Sequence, residues 1–234
     1  MLNPLNPFMK QLLLSILMML LPLLANAESV EINGIYYNLS TETNTAEVTY
    51  GPDYYSGDIV IPETVNYEGI SYSVTSIGES AFAGCRSLTS VTIGNSVASI
   101  GWYAFNRCSS LTSITIGSSV TSIGNKVFED CSNLTFIRVD EGNPVFDSRE
   151  NCNAIVMTEN NELIVGCKNT IIPNSVTSIG ESAFEGCSSL TSIEIPNSVT
   201  SIGFSAFREC IGLTSITIPN SITTIGEHAF FACI

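Results

Sequence analysis

The segment Ser175–Asn197, SVTSIGESAFEGCSSLTSIEIPN, decides the fold of this chain because close copies of it recur before and after it. The copies are located by the isoleucine of their SIG element, which stands at Ile77, Ile100, Ile123, Ile179, Ile202 and Ile225. Successive isoleucines are 23, 23, 56, 23 and 23 residues apart, and 56 residues are one repeat of 23 plus an insertion of 33. Self-similarity at a fixed period of this size indicates a solenoid. We number the six copies repeats 1 to 6.

One full period, Gly94–Ile116, separates residues that face a core from residues that face water. Its apolar or small positions are Val97, Ile100, Ala104, Phe105, Cys108, Leu111, Ile114 and Ile116. The LTSIxI segment alternates and stops at Gly or Pro, which predicts a strand. The β-branched SVTSIG segment predicts a second short strand that a glycine turn closes. The x-x-A-F-x-x-C segment, called the turn segment below, predicts a helical or 3₁₀ turn.

A single repeat of 23 residues buries too few side chains to fold alone, so its stability must come from its neighbours. Stacking places equivalent residues directly over one another. The sequence therefore predicts a mainly β solenoid with internal columns of identical residues. The phenylalanine column is expected to be continuous and consists of Phe82, Phe105, Phe128, Phe184, Phe207 and Phe230.

A parallel column of cysteines consists of Cys85, Cys108, Cys131, Cys187, Cys210 and Cys233. An even number of cysteines in an exported chain argues for disulfides. Residues one period apart, however, have parallel Cβ vectors, whereas a disulfide needs converging ones. We therefore predict a ladder of buried, unreactive thiols. Single cysteines 23 residues apart also lack the close pairing of zinc sites, and neither a metal nor another cofactor is expected.

The pattern L-T-S-I-x-I-P-x-S-V-T-S-I-G-x-x-A-F-x-x-C resembles the repeat of the BspA-like leucine-rich repeat family, known from surface and secreted proteins of Bacteroidetes and some mucosal protists. The resemblance extends from about Val74 to Cys233, and the insertion is similar to one that this family often carries. It implies a right-handed leucine-rich-repeat coil and, for some members, adhesion to host matrix proteins. It implies no enzyme chemistry.

These patterns divide the chain into five parts. We expect a signal peptide over 1–27, an N-terminal β cap over 28–73, repeats 1 to 3 over 74–139, a hairpin insertion over 140–172, and repeats 4 to 6 over 173–234, the last of them incomplete.

The N-terminus has the order of a secretory signal. Lys10 precedes the apolar run Leu12–Leu24, and Ala25-Asn26-Ala27 follows as a small-x-small cleavage site. The mature chain should then begin near Glu28, with no stable membrane span left after cleavage. The predicted location is secreted or cell-surface, with the periplasm and an uncleaved membrane anchor as alternatives.

The predicted cap contains seven of the eight tyrosines of the chain. One interpretation is a β cap that covers the open face of repeat 1, which a solenoid needs for solubility. The other is an aromatic surface for glycans or protein partners, represented by Tyr54 and Tyr55, because tyrosine combines apolar area with a polar tip. One cap can serve both purposes.

Within the insertion, NAIVMT and ELIVGC predict two strands of a β-hairpin. A turn centred near Glu159 would place Val156 opposite Leu163 and Cys152 opposite Cys167. A cross-strand disulfide between these two cysteines is therefore one hypothesis, and two free thiols are the alternative.

Outward positions of the LTSIxI strands are mostly Ser and Thr, and Phe136, Arg138 and Glu194 are the exceptions. Repeat proteins commonly bind through positions that vary, and exposed aromatic residues and arginine are typical contact residues. The three residues are therefore candidate contacts for a protein or glycan ligand. Sequence drift beside the insertion is the alternative explanation.

Composition limits the function further. The formal net charge is −14, with only 8 basic residues, which argues against nucleic acid as a partner. The single histidine, His228, and the absence of catalytic motifs from the sequence predict no enzyme activity. We expect an exported binding protein for adhesion or recognition. The alternative is an assembly module, or a fragment of a longer array, that oligomerises through its open C-terminal edge.

Overall fold

The computed structural model describes residues 29–233, so the predicted signal peptide lies outside the described residues. The described part is mostly strand, and its one short helix is a 3₁₀ turn at Arg149–Asn151. The strands are β1 Val30–Ile32, β2 Ile35–Ser40, β3 Thr45–Thr49, β4 Ser56–Ile61, β5 Thr64–Tyr67, β6 Ile70–Ile77, β7 Ser87–Ile93, β8 Ser99–Ile100, β9 Ser113–Ile116, β10 Ser122–Ile123, β11 Phe136–Val139, β12 Phe146–Asp147, β13 Ile155–Met157, β14 Glu162–Val165, β15 Ser178–Ile179, β16 Ser201–Ile202 and β17 Thr224–Ile225. Within residues 29–233, no helix has the length and hydrophobicity required to cross a bilayer.

Three sheets run along the solenoid. The first SIG sheet has the order β1-β2-β3-β6-β8-β10, with β5 paired to β6, and the second has the order β12-β13-β14-β15-β16-β17. The LTSI sheet has the order β11-β9-β7-β4. Ser76 pairs with Ser99, and Ser99 pairs with Ser122, so parallel neighbours are one period apart. The stacking of equivalent residues is therefore confirmed within each sheet.

The LTSI strands form because their alternation places apolar side chains inside and hydroxyls outside. In β9, Ile114 and Ile116 are fully buried. The corresponding segments of repeats 4 and 5 are not strands, which differs from the prediction. Part of the reason is proline, because the Asp140 nitrogen donates to Ile116 O at 2.9 Å, while the equivalent residue of repeat 4, Pro196, has no N–H.

The turn segments are neither helical nor 3₁₀ within the described residues, so that prediction was wrong. Two residues of every turn segment have left-handed backbone, which breaks a helix after a few residues. The first set is Ser80, Tyr103, Lys126, Ser182, Ser205 and His228, and the second is Gly84, Arg107, Asp130, Gly186, Glu209 and Ala232. The resulting winding exposes alternate N–H groups to the next repeat, and these groups form a hydrogen-bonded ladder along the solenoid.

The phenylalanine column is present in two parts. Phe82, Phe105 and Phe128 stack with ring centroids 5.0 and 5.3 Å apart. A second stack follows, in which Phe207 lies 4.9 Å from Phe184 and 5.3 Å from Phe230. Between the two stacks the insertion places Gly166 against the Phe184 ring, in a space that leaves no room for a Cβ atom. The expected continuous column is therefore interrupted, and the buried residues form two hydrophobic clusters.

The cysteine column has a use that the sequence did not predict. The Cys108 thiol donates a hydrogen bond to the carbonyl of Phe82, the phenylalanine of the preceding repeat, at 3.0 Å. Cys131, Cys210 and Cys233 make the same bond at 2.9–3.0 Å. All eight cysteines are free thiols. The thiols therefore fill the core, and these four also tie their repeats to the ones before them.

The N-terminal cap continues the solenoid with modified strands. β3 pairs in parallel with β6 in the first SIG sheet, and β4 pairs in parallel with β7 in the LTSI sheet. The strand β6 spans the predicted boundary between cap and repeat 1. The segment thus covers the first repeat by supplying the partner strands that a preceding repeat would supply.

The insertion contains an antiparallel pair, β13 with β14, in which Val156 lies opposite Leu163 as predicted. Of the two alternatives for Cys152 and Cys167, the structure has the two free thiols and not the disulfide. The register shifts between Ile155 and Val156, so the two cysteines do not face each other. Cys152 belongs to one hydrophobic cluster and Cys167 to the other, and each thiol is directed at a backbone carbonyl instead.

Candidate functional site

The exceptions Phe136 and Arg138 lie next to each other on β11, the edge strand of the LTSI sheet. Strand alternation buries Ile137 and Val139 and turns Phe136 and Arg138 to the outside. Phe136 exposes 46% of its surface. The structure therefore brings two of the three predicted contact residues together on one exposed edge.

The insertion forms the opposite wall of a groove beside this edge. The groove has a volume of about 510 Å³, and residues 136–143 and 146–151 supply most of its lining. Arg149 is held in the wall by Asp147, with Nη2 to Oδ2 at 2.6 Å and Nε to Oδ1 at 2.8 Å. These hydrogen bonds also raise the pKa of the Arg149 guanidinium. The Arg138 guanidinium has a longer contact, 3.6 Å to Asp140, and so remains the more available cation.

Glu194 lies apart from this pair, although it occupies the same repeat position as Arg138. It lines a separate shallow groove with Thr217, Ile218 and Pro219. The separation arises because the insertion lies between repeats 3 and 4. Phe136 and Arg138 thus share a site from which Glu194 is excluded.

The two candidate tyrosines of the cap differ in exposure. Tyr54 exposes 77% of its surface, whereas Tyr55 exposes 6%. The Tyr55 hydroxyl donates to Thr49 O at 2.6 Å and accepts from the Tyr36 nitrogen, and its ring lies 4.7 Å from Phe82. Burial raises the pKa of Tyr55 to about 12. Tyr55 therefore ends the phenylalanine column, and its assignment to a binding surface was wrong.

Sequence reasoning missed an exposed aromatic cluster on the turn segments of repeats 5 and 6. The His228 ring contacts Phe204 and Phe231 edge to face, with centroids 5.7 and 5.6 Å apart. The Arg208 guanidinium lies 5.6 Å from the centre of the Phe231 ring, within cation–π range. The sequence does show that these positions vary from repeat to repeat. That the variable residues form one cluster follows only from the stacking of the turn segments.

A charged cluster connects repeats 3, 4 and 5 on the same side. The Lys126 ammonium lies 3.0 Å from Glu185 and 3.1 Å from Glu129, and Arg208 lies 3.4 Å from Glu185. The Glu185 side chain is only 2% exposed, and it also accepts a hydrogen bond from Ser182 at 2.6 Å. This buried carboxylate is therefore paired with cations on both sides.

Burial and the paired charges both shift the pKa values of the residues in this cluster. Burial lowers the pKa of Lys126, but its contacts with Glu185 and Glu129 outweigh that effect and the net pKa is raised. The pKa of Glu129 is also raised, because burial and the Glu185 carboxylate exceed the opposing effect of Lys126.

Among residues 29–233, no group of three or more His, Cys, Asp or Glu side chains is arranged to hold a metal ion.

The repeat that organises this fold matches a known family profile. The profile is described as "BspA type Leucine rich repeat region" and matches residues 63–164 and 162–234 in six copies. The chain belongs to the BspA-type leucine-rich repeat family. No curated protein matches the sequence significantly.

Solved structures of bacterial leucine-rich repeat proteins resemble this BspA-type chain. A leucine-rich repeat protein of T. pallidum is 22% identical, with a TM-score of 0.50 over 88% of this chain and 89% of its own. A leucine-rich cell surface protein of Faecalibacterium prausnitzii is 21% identical, with a TM-score of 0.44 over 88% and 80%. At this identity, the T. pallidum likeness supports the fold alone.

Proposed function

We propose that this BspA-type protein is an exported binding protein that recognises a protein or glycan ligand at the cell surface. The observation that carries the proposal is the groove between β11 and the insertion. Its sheet-side wall replaces the regular Ser and Thr of the other repeats with an exposed aromatic residue, Phe136, and an available cation, Arg138. Such residues are common energetic anchors of interfaces.

The character of the ligand follows from the same groove. Its wall contains amide and carboxylate side chains from the insertion, while Phe136 offers an apolar face. Sugars and polypeptides both present apolar faces beside hydrogen-bonding groups, so either can use this combination. The surrounding net negative charge favours partners with basic segments, which include proteins of the host matrix.

The test is a binding screen of the chain from residue 28 against immobilised extracellular-matrix proteins and a glycan array. For any ligand found, we expect the double variant Phe136→Ala, Arg138→Ala to bind at least tenfold more weakly. The matched control is Ser113→Ala, Thr115→Ala, which changes the same positions one repeat earlier. Equal binding by both double variants would refute the groove as the site.

Export is the second part of the proposal, and it is supported by the order Lys10, apolar run, Ala25-Asn26-Ala27. We expect full-length protein expressed in a bacterium with a Sec system to appear outside the cytoplasm with Glu28 as its first residue. N-terminal sequencing of the exported fraction measures this. An exported chain that still begins at Met1 or Met9 would contradict cleavage at this site, and an Ala27→Arg variant should retain the uncleaved N-terminus.

A further inference from the structure

Neighbouring turn segments are joined by a regular set of backbone hydrogen bonds. In each regular junction, the residue two before the phenylalanine, the phenylalanine itself and the residue two after it donate N–H groups to the next repeat. The donor–acceptor pairs are Ser80–Trp102, Phe82–Ala104, Gly84–Asn106, Tyr103–Asn125, Phe105–Val127, Arg107–Glu129, Ser182–Phe204, Phe184–Ala206, Gly186–Arg208, Ser205–Glu227, Phe207–Ala229 and Glu209–Phe231. The same three bonds thus recur at four junctions.

The junction between repeats 3 and 4 lacks these bonds within the described part of the chain. The Ala183 carbonyl, which Phe128 N–H would reach in a regular junction, instead accepts from Gly166 of the insertion at 2.7 Å. Lys126 N–H and Phe128 N–H have no hydrogen-bond acceptor among residues 29–233. Lys126 and Asp130 keep the left-handed backbone of their equivalents, with φ 55° and 60°, so the turn of repeat 3 has the same conformation that directs these N–H groups along the solenoid in the other repeats.

A cavity of about 360 Å³ lies where these bonds are missing. Its first wall is the turn of repeat 3, including Lys126 and Phe128, and its opposite wall is the turn of repeat 4, including Glu181 and Glu185. The backbone carbonyls of these two glutamates have no donor among the described residues, whereas their equivalents in repeats 2, 3, 5 and 6 each accept one. The cavity therefore has free backbone donors on one side and free backbone acceptors on the other.

The remaining surfaces of the cavity define what else an occupant needs. Apolar side chains, among them Val145, Met157 and Ile164, line it from the insertion side. Four glutamates and one lysine contribute to the lining, so it carries an excess of negative charge. At its far end the repeats come together, since a Cβ atom on Gly186 would lie 2.5 Å from the Asp130 nitrogen. The cavity is thus short, closed at one end, acidic and partly apolar.

We propose that this junction cavity binds a short extended peptide with a basic side chain. An extended peptide carries both carbonyl oxygens and N–H groups on each of its edges. Carbonyls on one edge can therefore accept from Lys126 and Phe128 while N–H groups on the other edge donate to Glu181 or Glu185, as in the addition of a strand. The basic side chain meets Glu181, because Glu129 and Glu185 are already paired with Lys126, and a small apolar side chain covers Met157 and Ile164. The volume lies at the lower end of the range for ligand sites, which limits the occupant to a few residues. This site is distinct from the Phe136–Arg138 groove, and neither depends on the other.

The test uses the chain from residue 28 with three end-blocked tripeptides, Ala-Arg-Ala, Ala-Ala-Ala and Ala-Glu-Ala, and with propylguanidine as a cation that has no peptide group. Isothermal titration is expected to give the order Ala-Arg-Ala, Ala-Ala-Ala, Ala-Glu-Ala from tightest to weakest, with at least tenfold between the ends. Hydrogen exchange read by NMR should slow at the Lys126 and Phe128 amides when Ala-Arg-Ala binds. Binding of propylguanidine as tightly as Ala-Arg-Ala, or unchanged exchange at both amides, would overturn the proposal.

Two variants locate the site. Ile164→Trp fills the cavity from a half-buried position and should abolish tripeptide binding while the circular dichroism spectrum is unchanged. Glu181→Gln, at an exposed position on the cavity wall, should weaken Ala-Arg-Ala binding at least threefold. Glu227→Gln changes the equivalent residue of repeat 6 and should leave binding unchanged. Tripeptide binding that survives Ile164→Trp, or that the two glutamine variants weaken equally, places the ligand elsewhere and refutes the junction cavity as its site.

Discussion

At the scale of single residues, the turn segment is controlled by two left-handed positions that are four residues apart. The second position is glycine in repeats 1 and 4 but Arg107, Asp130, Glu209 or Ala232 in the others. A residue with a Cβ atom is strained in this conformation by about 1–2 kcal/mol. Glycine therefore fits this position in every repeat. A residue with a Cβ atom costs still more free energy where the backbone of another repeat lies close to that atom.

The two natural glycines at this position should respond differently to alanine. Gly84 and Gly186 have nearly the same φ, 74° and 73°. A Cβ on Gly84 would lie 3.3 Å from the Tyr54 side chain, whereas one on Gly186 would lie 2.5 Å from the Asp130 nitrogen. We expect Gly84→Ala to lower the free energy of unfolding by about 1 kcal/mol and Gly186→Ala to lower it by clearly more. Urea denaturation measures both, and equal losses would contradict the close approach of repeats 3 and 4.

The buried thiols predict how stability depends on pH. Burial raises the pKa of Cys85 and Cys152 to about 11 and that of Cys210 to about 12, from an ordinary value of 9.0. A raised pKa means that the folded state holds the proton more tightly, so this stabilisation is complete below pH 9 and is lost as the pH rises through 11 to 12.

We therefore expect the free energy of unfolding to fall above pH 9, by up to about 1.4 kcal/mol per pH unit for each buried thiol. Urea denaturation at several pH values between 7 and 10.5, with reductant present, measures this slope. Cys210→Ala removes one titrating group and should make the slope shallower. An alkaline slope that Cys210→Ala leaves unchanged would show that this thiol is not protected from ionisation.

At the scale of elements, the LTSI segments differ between the two halves of the array. Repeats 1 to 3 form a parallel ladder that begins at β4 of the cap and ends at β11. The segments of repeats 4 and 5 keep Leu190, Ile195 and Leu213 buried but form no strand. Side-chain burial therefore holds these later segments in place without the backbone bonds that the earlier ones have.

Amide hydrogen exchange should separate the two kinds of segment. We expect the amides of β9 to be protected well beyond those of the equivalent segment 192–195, because ladder bonds must open before exchange. The SIG strands of the same two repeats, β8 and β15, serve as an internal control, because both are hydrogen-bonded in parallel ladders and should be protected alike. Similar protection of β9 and 192–195 would contradict the loss of the ladder.

At the scale of the whole molecule, the insertion divides the array into two hydrophobic clusters and interrupts both the SIG sheet and the phenylalanine column. The halves are joined by the Lys126–Glu185 ion pair, by the bond from Gly166 N–H to Ala183 and by that from Lys168 N–H to Leu134. Repeat arrays unfold as one unit only while the interfaces between neighbours are strong. The cooperativity of this chain therefore depends on one junction.

Gly166→Ala should uncouple the halves. Its new Cβ would overlap the Phe184 ring at the junction, so we expect denaturant unfolding to change from one transition to two. Fluorescence of Trp102, in repeat 2, and the far-UV circular dichroism signal should then give different midpoints. Gly142→Ala is the control, since Gly142 is also in the insertion and a Cβ there meets no atom within 4 Å. Its φ of 86° makes alanine cost about 1–2 kcal/mol locally, but its unfolding should remain a single transition. Coincident transitions in Gly166→Ala would mean that the junction does not set the cooperativity.

Three features could be predicted from residue spacing in the sequence alone. They are the stacking of equivalent residues, the inward and outward faces of β7, β9 and β11, and the pairing of Val156 with Leu163. Each depends on spacing within a short segment, and a period of 23 residues leaves one way to superimpose identical side chains. The family resemblance followed from the same spacing. A local pattern that repeats is thus enough to specify the core of a solenoid.

Other features required the folded chain, because they depend on contacts between segments that no local pattern relates. The burial of Tyr55 beside an exposed Tyr54 follows from its contact with Phe82, the first ring of the phenylalanine column, which Tyr55 covers. The separate thiols of Cys152 and Cys167 follow from a register shift in the hairpin. The junction cavity exists because Gly166 takes the Ala183 carbonyl from Phe128. An insertion has no equivalent in the period, so where it enters the stack and which bonds it displaces are decided only by packing against both neighbours.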